Sequence, residues 1–265
     1  MAAEQSETTL RRGMSLLFVL GCEESLRGGG LGVVRIAELA GMEKSQVSRT
    51  LRTLEACGLL NRDLDTLQYR LSWQLFSLAA RAGDHQLVEA APRILEQVVN
   101  QLQEAAYVSV LHGNEVLTIA AKNGVRIVQA TVMVGQVSPA YCSSAGRVLL
   151  MDHSPEQIQT LFHDVELVRH APRSPRSVED MIKRIKKARL DGVAVVDEEY
   201  EAALTGVAAP IRDARGRIIA ALNVSGPKFR LGADINVACK AVVAAAAELS
   251  SVLGAPEATR NDGGR

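Results

Sequence analysis

The sequence predicts an α+β protein in two parts: a winged helix-turn-helix over residues 8–72 and, beyond a linker helix at 73–86, a mixed α+β domain over 87–254. Three observations carry this. The 265 residues exceed what one core ordinarily holds. Two helical stretches separated by Gly41-Met42 are followed by two short strand-like runs. Past Ala106, strand-like and helix-like stretches alternate for most of the chain, the pattern of a domain able to enclose a ligand.

Within residues 10–26, apolar residues recur at Leu10, Met14, Leu17, Phe18 and Gly21, the spacing of a helix with one buried face, and Gly28-Gly29-Gly30 stops it. Residues 34–40 form a short helix, Gly41-Met42 a tight turn, and residues 43–57 a second helix ended by Gly58. Residues 59–62 and 68–71 read as strands around an acidic turn at 63–67, completing a wing. Residues 73–82 and 87–105 are helical by pattern, with Gly83, Asp84 and His85 between them. Residues 107–111, 116–121 and 126–131 read as strands; 143–151, 156–162 and 178–191 as helices. Strands return at 193–197, 207–211 and 218–225, a long Ala-rich helix spans 234–253, and residues 255–265 form a frayed tail.

Hydrophobic residues make 47% and charged residues 23%, a balance that buries a core and excludes a disordered chain. Thirty basic and thirty acidic residues cancel, so any polyanion site is local. Aromatic residues are 3%, too few to pave a surface for stacked single-stranded bases. Cys22, Cys57, Cys142 and Cys239 show no zinc or redox spacing, which points to reduced thiols in a cytoplasmic protein without metal or cofactor. Val19-Leu20-Gly21-Cys22 after Arg11-Arg12 imitates a lipoprotein cleavage site, but Glu4, Glu7, a short apolar core and bulky Leu20 argue against one. The purest apolar run, 241–247, ends at Glu248, short of a membrane span, so a soluble chain is expected.

On the helix at 43–57, Val47, Leu51 and Leu54 share a face at 100° per residue, while Ser45, Arg49 and Arg52 point the opposite way. Gln46, Ser48 and Thr53 lie on its flanks. Arginine pairs bidentately with guanine edges, and Ser, Thr, Gln and Lys hold phosphates or contribute to base reading, so this face suits the major groove of duplex DNA. A solvated face is the plainer reading of such a helix alone; the preceding helix, turn and hairpin favour DNA. Arg35, Lys44 and, on the hairpin, Arg62 and Arg70 complete the candidate DNA-contacting set.

These residues carry a resemblance. Val33 through Met42, Lys44-Ser45-Gln46-Val47-Ser48-Arg49-Thr50-Leu51 and Leu54-Glu55 resemble the winged helix of the IclR-type bacterial transcription regulators. Ser143 through Leu150, Asp197-Glu198-Glu199, Gly206 through Ile211 and Ala220 through Pro227 are similar to that family's effector-binding domain. The resemblance implies a GAF-like ligand domain, homodimers formed through the DNA-binding halves, homotetramers, and control of catabolic operons by small organic acids. The chain departs from the family pattern at Val196, Ala203, Thr205 and Asn223, where an acid, a Gly, an Arg and a Ser are common, and at Leu67, where the wing usually has Gly.

The candidate effector residues follow. Cys142, Ser143, Ser144, Ala145 and Gly146 open a helix with small residues, leaving backbone N–H groups for a carboxylate. An ordinary cap by Ser143 or Ser144 is the alternative. Asn223 and Ser225 share a strand face and, with Val196, Asp197, Leu204, Gly206 and Ala145, bound a mostly apolar pocket. Cys142 reads as a pocket wall or a packed thiol, and the acids at 197–199 and 201 as a solvated loop without a nearby His. The effector expected is an aromatic or short-chain carboxylate and the DNA partner a pseudo-palindromic operator. A hydrolase using Ser144, His170 and Asp197, a thiol enzyme using Cys142, or a winged helix that binds protein would be the rivals; no nucleophile-elbow motif supports the enzymes.

Overall fold

A computed structural model describes residues 8–79 and 85–256. Glu4, Glu7, the end of the predicted linker helix with Gly83 and Asp84, and tail residues 257–265 lie outside the described residues. The chain divides into two compact units, Met1–His85 and Gln86–Arg265.

In the first unit, α1 (Thr9–Leu20) begins at Thr8, whose hydroxyl accepts the Arg11 N–H at 3.3 Å. Cys22 then caps a separate short helix, α2 (Glu23–Gly28), so the single predicted helix over 10–26 is two. The buried face also differs from expectation. Gly13, Leu16 and Leu20 face the core, while Leu10, Met14 and Phe18 are exposed. The helix carries two apolar stripes, and periodicity alone does not say which one meets its own domain. Helix α3 (Val33–Ala40) ends at Gly41 in the left-handed region, φ 64°. That turn launches α4 (Lys44–Ala56), which buries Val47 and Leu51 against Leu16, Leu20, Ile36 and Tyr69. Strands β1 (Leu60–Arg62) and β2 (Tyr69–Leu71) form the wing, joined by a third segment where Leu31 and Tyr69 exchange backbone hydrogen bonds. Helix α5 (Trp73–Ala79) follows.

In the second unit, six antiparallel strands lie in the order β5-β4-β3-β8-β7-β6. They are β3 (Ala105–His112), β4 (Glu115–Lys122), β5 (Val137–Pro139), β6 (Ala194–Asp197), β7 (Leu204–Arg212) and β8 (Ile218–Pro227). One face carries Ala106, Val108, Leu222, Val224, Val207 and Ala209 and is covered by α6 (His85–Leu102) and α10 (Ile235–Val252). On the other face, Ala208 and Ala221 pack against α7 (Ser144–Leu149), α8 (Pro155–Leu161) and α9 (Val178–Asp191). Helix α10 is long and apolar enough to cross a membrane by length and composition, contrary to the expectation from the run at 241–247. It lays Ala238, Val242, Ala246 and Leu249 on the sheet.

The predicted strand at 126–131 does not form. Its Val and Ile residues imitate a strand, but side chains take the place of a ladder. Asn123 Oδ1 accepts the Val132 N–H at 3.0 Å, and Arg230 donates to the Val128 carbonyl at 2.7 Å. The edge strand is instead β5, paired to β4 through Val116 and Ser138.

Candidate functional site

The outward side of α4 presents exposed Lys44, Ser45, Arg49, Arg52 and Thr53, with Gln46 and Ser48 half-buried on its flanks. Several of these polar groups are locally engaged: Ser45 bonds Glu43, and the Thr53 hydroxyl donates to the Arg49 carbonyl at 3.2 Å. Arg49 is exposed, and no hydrogen bond from the described residues fixes its guanidinium. Arg52 only grazes the Ser48 carbonyl through Nε at 3.4 Å. Arg35 belongs to α3, where Glu24 at 2.8 and 2.9 Å and Glu38 at 3.0 Å hold its guanidinium and raise its pKa. A DNA contact by Arg35 would compete with those carboxylates. On the wing, Arg62 lies over the Tyr69 ring at 5.4 Å, and Arg70 is exposed near Asp63.

In the second unit a cavity of about 500 Å³ lies on the sheet face opposite α6 and α10. Register builds its polar end. Tyr107 on β3 sits opposite Asn223 on β8, and Ser225 on β8 sits opposite Gly206 on β7. The Tyr107 hydroxyl and Ser225 Oγ are 2.5 Å apart, and Asn223 lies beside the same phenol. Burial pushes the Tyr107 phenol up, while the Ser225 and Asn223 hydrogen bonds oppose that rise. A Cβ on Gly206 would stand 3.0 Å from Ser144 Oγ and 3.4 Å from Ser225 Oγ, so the missing side chain leaves room for both hydroxyls. Val196, Leu204, Ala145, Val116, Val132 and Phe229 supply apolar wall.

The structure brings Ser143, Ser144, Ala145, Val196, Leu204, Gly206, Asn223 and Ser225 to this cavity. It does not bring Cys142, Gly146 or Asp197. Cys142 is fully buried in the core beneath α7, and burial pushes its thiol up to about 12, which leaves almost no thiolate. Gly146 is pressed against the Ala140 backbone, and its N–H is taken by Ser143 Oγ at 3.2 Å, the N-cap of α7. Asp197 turns to Arg173 and to Lys228 at 3.0 Å.

The acidic run is therefore not a solvated loop. Glu199 is buried, with Arg147 of α7 at 2.5 Å and Arg184 of α9 at 2.8 Å, and Glu198 pairs with Lys228 at 2.5 Å. Arg147 also donates to the Val195 carbonyl at 2.9 Å, and Ser174 to that of Glu199 at 2.6 Å. This clamp holds the segment from Tyr200 to Leu204 against the cavity. His170 is stacked on Tyr141 at 6.0 Å and tilted to Tyr200 at 5.9 Å. Among the described residues, no three His, Cys, Asp or Glu side chains are grouped to hold a metal ion.

Both units match family models: the IclR helix-turn-helix domain over residues 9–64 and the bacterial transcriptional regulator IclR C-terminal domain over 79–251. The chain belongs to the IclR family. It is a DNA-binding transcriptional regulator with an effector-binding domain. It is 32% identical to the Pca regulon regulatory protein of Pseudomonas putida over 220 residues, 82% of this chain and 74% of that one. It is 26% identical to the transcriptional repressor AllR of Escherichia coli over 233 residues, 88% and 84% of the two chains. Among solved structures, an IclR homologue from Microbacterium hydrocarbonoxydans complexed with 4-hydroxybenzoate superposes with a TM-score of 0.79. The two are 25% identical, and the match covers 93% of this chain and 99% of that one.

In this IclR-family regulator, sequence reasoning missed Tyr107, Thr118, Tyr200, Glu201, Phe229 and the stretch from Val128 to Val132, all of which line the cavity. Tyr107 has no motif of its own. Only the β3–β8 register sets it beside Asn223.

Proposed function

We propose that this regulator is a repressor whose C-terminal cavity binds a small organic acid and changes no bond in it. The cavity carries the proposal: an apolar chamber with hydroxyl and amide groups gathered at one end. Such a site orients a small, mostly apolar molecule by a few polar contacts. Among the described lining residues are Glu201 and no Lys, Arg or His, so a multiply charged acid is disfavoured and the carboxylate of a monoacid has to rest on neutral hydrogen-bond donors. The Ser144 hydroxyl and the Ser144 and Ala145 N–H groups, which the Ser143 cap leaves over, are the donors available to a carboxylate. The 4-hydroxybenzoate complex of the structural relative supports an aromatic acid within the expected aromatic or short-chain class. The buried Cys142 thiol speaks against the thiol-enzyme reading, and the pairing of Asp197 with Arg173 and Lys228 against the hydrolase reading.

On this reading the outward face of α4 enters the major groove, with Arg49 and Arg52 as base or phosphate contacts and Lys44, Ser45, Gln46, Ser48 and Thr53 around them. Arg62 and Arg70 follow the backbone from the wing. The apolar stripe Leu10, Met14 and Phe18 is the surface for a second copy, giving a homodimer or tetramer on a pseudo-palindromic operator. The protein works in the cytoplasm and needs no membrane, metal or cofactor. The test is operator binding by Arg49→Ala/Arg52→Ala with calorimetry of simple carboxylic acids on the wild type. The variant should lose about 1–3 kcal/mol for each lost base contact, or shed about one unit of salt slope for each lost phosphate contact. Acids that bind should release the wild-type protein from DNA. Unchanged DNA binding, or turnover of the acid, would refute the assignment.

A further inference from the structure

Asn223 is 2% exposed, lines the cavity, and its Oδ1 has no hydrogen-bond partner. Asn223 pairs across the sheet with Tyr107, whose hydroxyl is bonded to Ser225. Its Oδ1 is left as a bare acceptor at the polar end of the chamber. A buried acceptor without a partner forfeits its solvation, which a donor brought by a ligand recovers. A carboxylate has no proton to offer and would meet this oxygen with repulsion. A hydroxyl suits it, since it donates to Asn223 and still accepts from a neighbouring group such as Ser225 or Ser144.

We propose, resting on the acid-effector reading above, that Asn223 is the specificity-determining residue of the cavity. It selects monocarboxylic acids that also carry a hydroxyl, receiving the hydroxyl hydrogen on Oδ1 while the carboxylate lies toward the donors around Ser144. The selection runs against the same acid without the hydroxyl, because binding that acid seals the acceptor in an unpaired state. It also runs against the methyl ether, which keeps the oxygen and loses the hydrogen.

The experiment is calorimetry on the full chain with matched probes: 3- and 4-hydroxybenzoate, benzoate and the corresponding methoxybenzoates, and lactate beside propionate. In the wild type, a hydroxy acid should bind about tenfold more tightly than its deoxy and methoxy partners, the step expected for satisfying one buried acceptor. In Asn223→Leu, similar in size but without hydrogen-bonding atoms, that ratio should fall close to one, with thermal unfolding showing that the variant is folded. The wild-type ratio decides by itself if the variant does not fold. Equal affinities within every matched set would overturn the proposal while leaving the acid effector standing. Methoxy acids binding more tightly than hydroxy acids would show the Asn223 NH₂ facing the ligand and overturn it too, since the two amide orientations differ only in their hydrogen bonding. A full ratio retained in folded Asn223→Leu would place the selection elsewhere. Failure of every acid to bind would remove the acid reading and this inference together.

Discussion

Two backbone positions show what single residues decide. Leu67 and Ala203, where the family resemblance leads one to expect Gly, both adopt left-handed φ, 58° and 59°. Side chains other than Gly lose energy there because Cβ crowds the following carbonyl. At Leu67 nothing compensates, since the side chain is exposed at the wing tip. Leu67→Gly is therefore expected to stabilise the winged helix by a few tenths to about 1 kcal/mol, the relief of strain outweighing the extra freedom Gly has when unfolded. A chemical denaturation midpoint below that of the wild type would contradict this. The family resemblance, rather than the residues themselves, marked both positions in the sequence. It did not make Tyr107 legible, because that side chain matters only through a strand pairing more than a hundred positions away. Nor did it reveal the charge pairs of residues 197–199, since a run of acids is bland until the folding chain brings Arg147, Arg184 and Lys228 to meet it.

Elements were legible where one sequence rule acted alone. Helix α9 spans the predicted 178–191 because Ser177 caps it, accepting the Asp180 N–H at 3.2 Å, and Gly192 ends it in the left-handed region. The segment at 126–131 departs from its strand-like pattern because Val128 and Ala130 line the cavity and Ile127 is exposed, so no ladder forms. The loop after β6 has the most to lose from a single change. Arg147→Met would leave buried Glu199 with Arg184 as its remaining charge partner, and breaking a buried pair is expected to cost about 3 kcal/mol. Adding Glu199→Gln should recover part of that loss, which a merely steric effect of the Met would not allow. Thermal unfolding of the three proteins checks both. The same loop has a pH signature. The Lys228 hydrogen bond holds Glu198 below its ordinary 4.5, so its contribution is present above 4.5 and fades as pH falls through the depressed folded value. Lys228→Met should flatten the acid limb of the stability curve.

At the scale of the whole molecule, a ligand acts on DNA binding only if it prefers one arrangement of the protein to another, because equal affinity for both shifts neither. Reading two half-sites, as proposed above, needs two recognition helices, so the proposed oligomer is the object whose arrangement matters. The stripe on α1 leaves apolar surface unused: Leu10 is 77% and Phe18 73% exposed, with Met14 between them at 45%. The same helix buries Gly13, Leu16 and Leu20, so its own domain is already served, and the second stripe, at every fourth residue, forms a ridge that fits the groove of another helix. Phe18→Glu should therefore leave each winged helix folded while weakening self-association, because the charge would have to be desolvated in the seam. Sedimentation should show dissociation at concentrations where the wild type stays associated. Operator affinity should fall steeply, since one half-site contact replaces two. Calorimetric affinity for a bound acid should change little, since the cavity is built wholly from residues 107–229. An unchanged oligomer with unchanged operator affinity would move the seam to another surface.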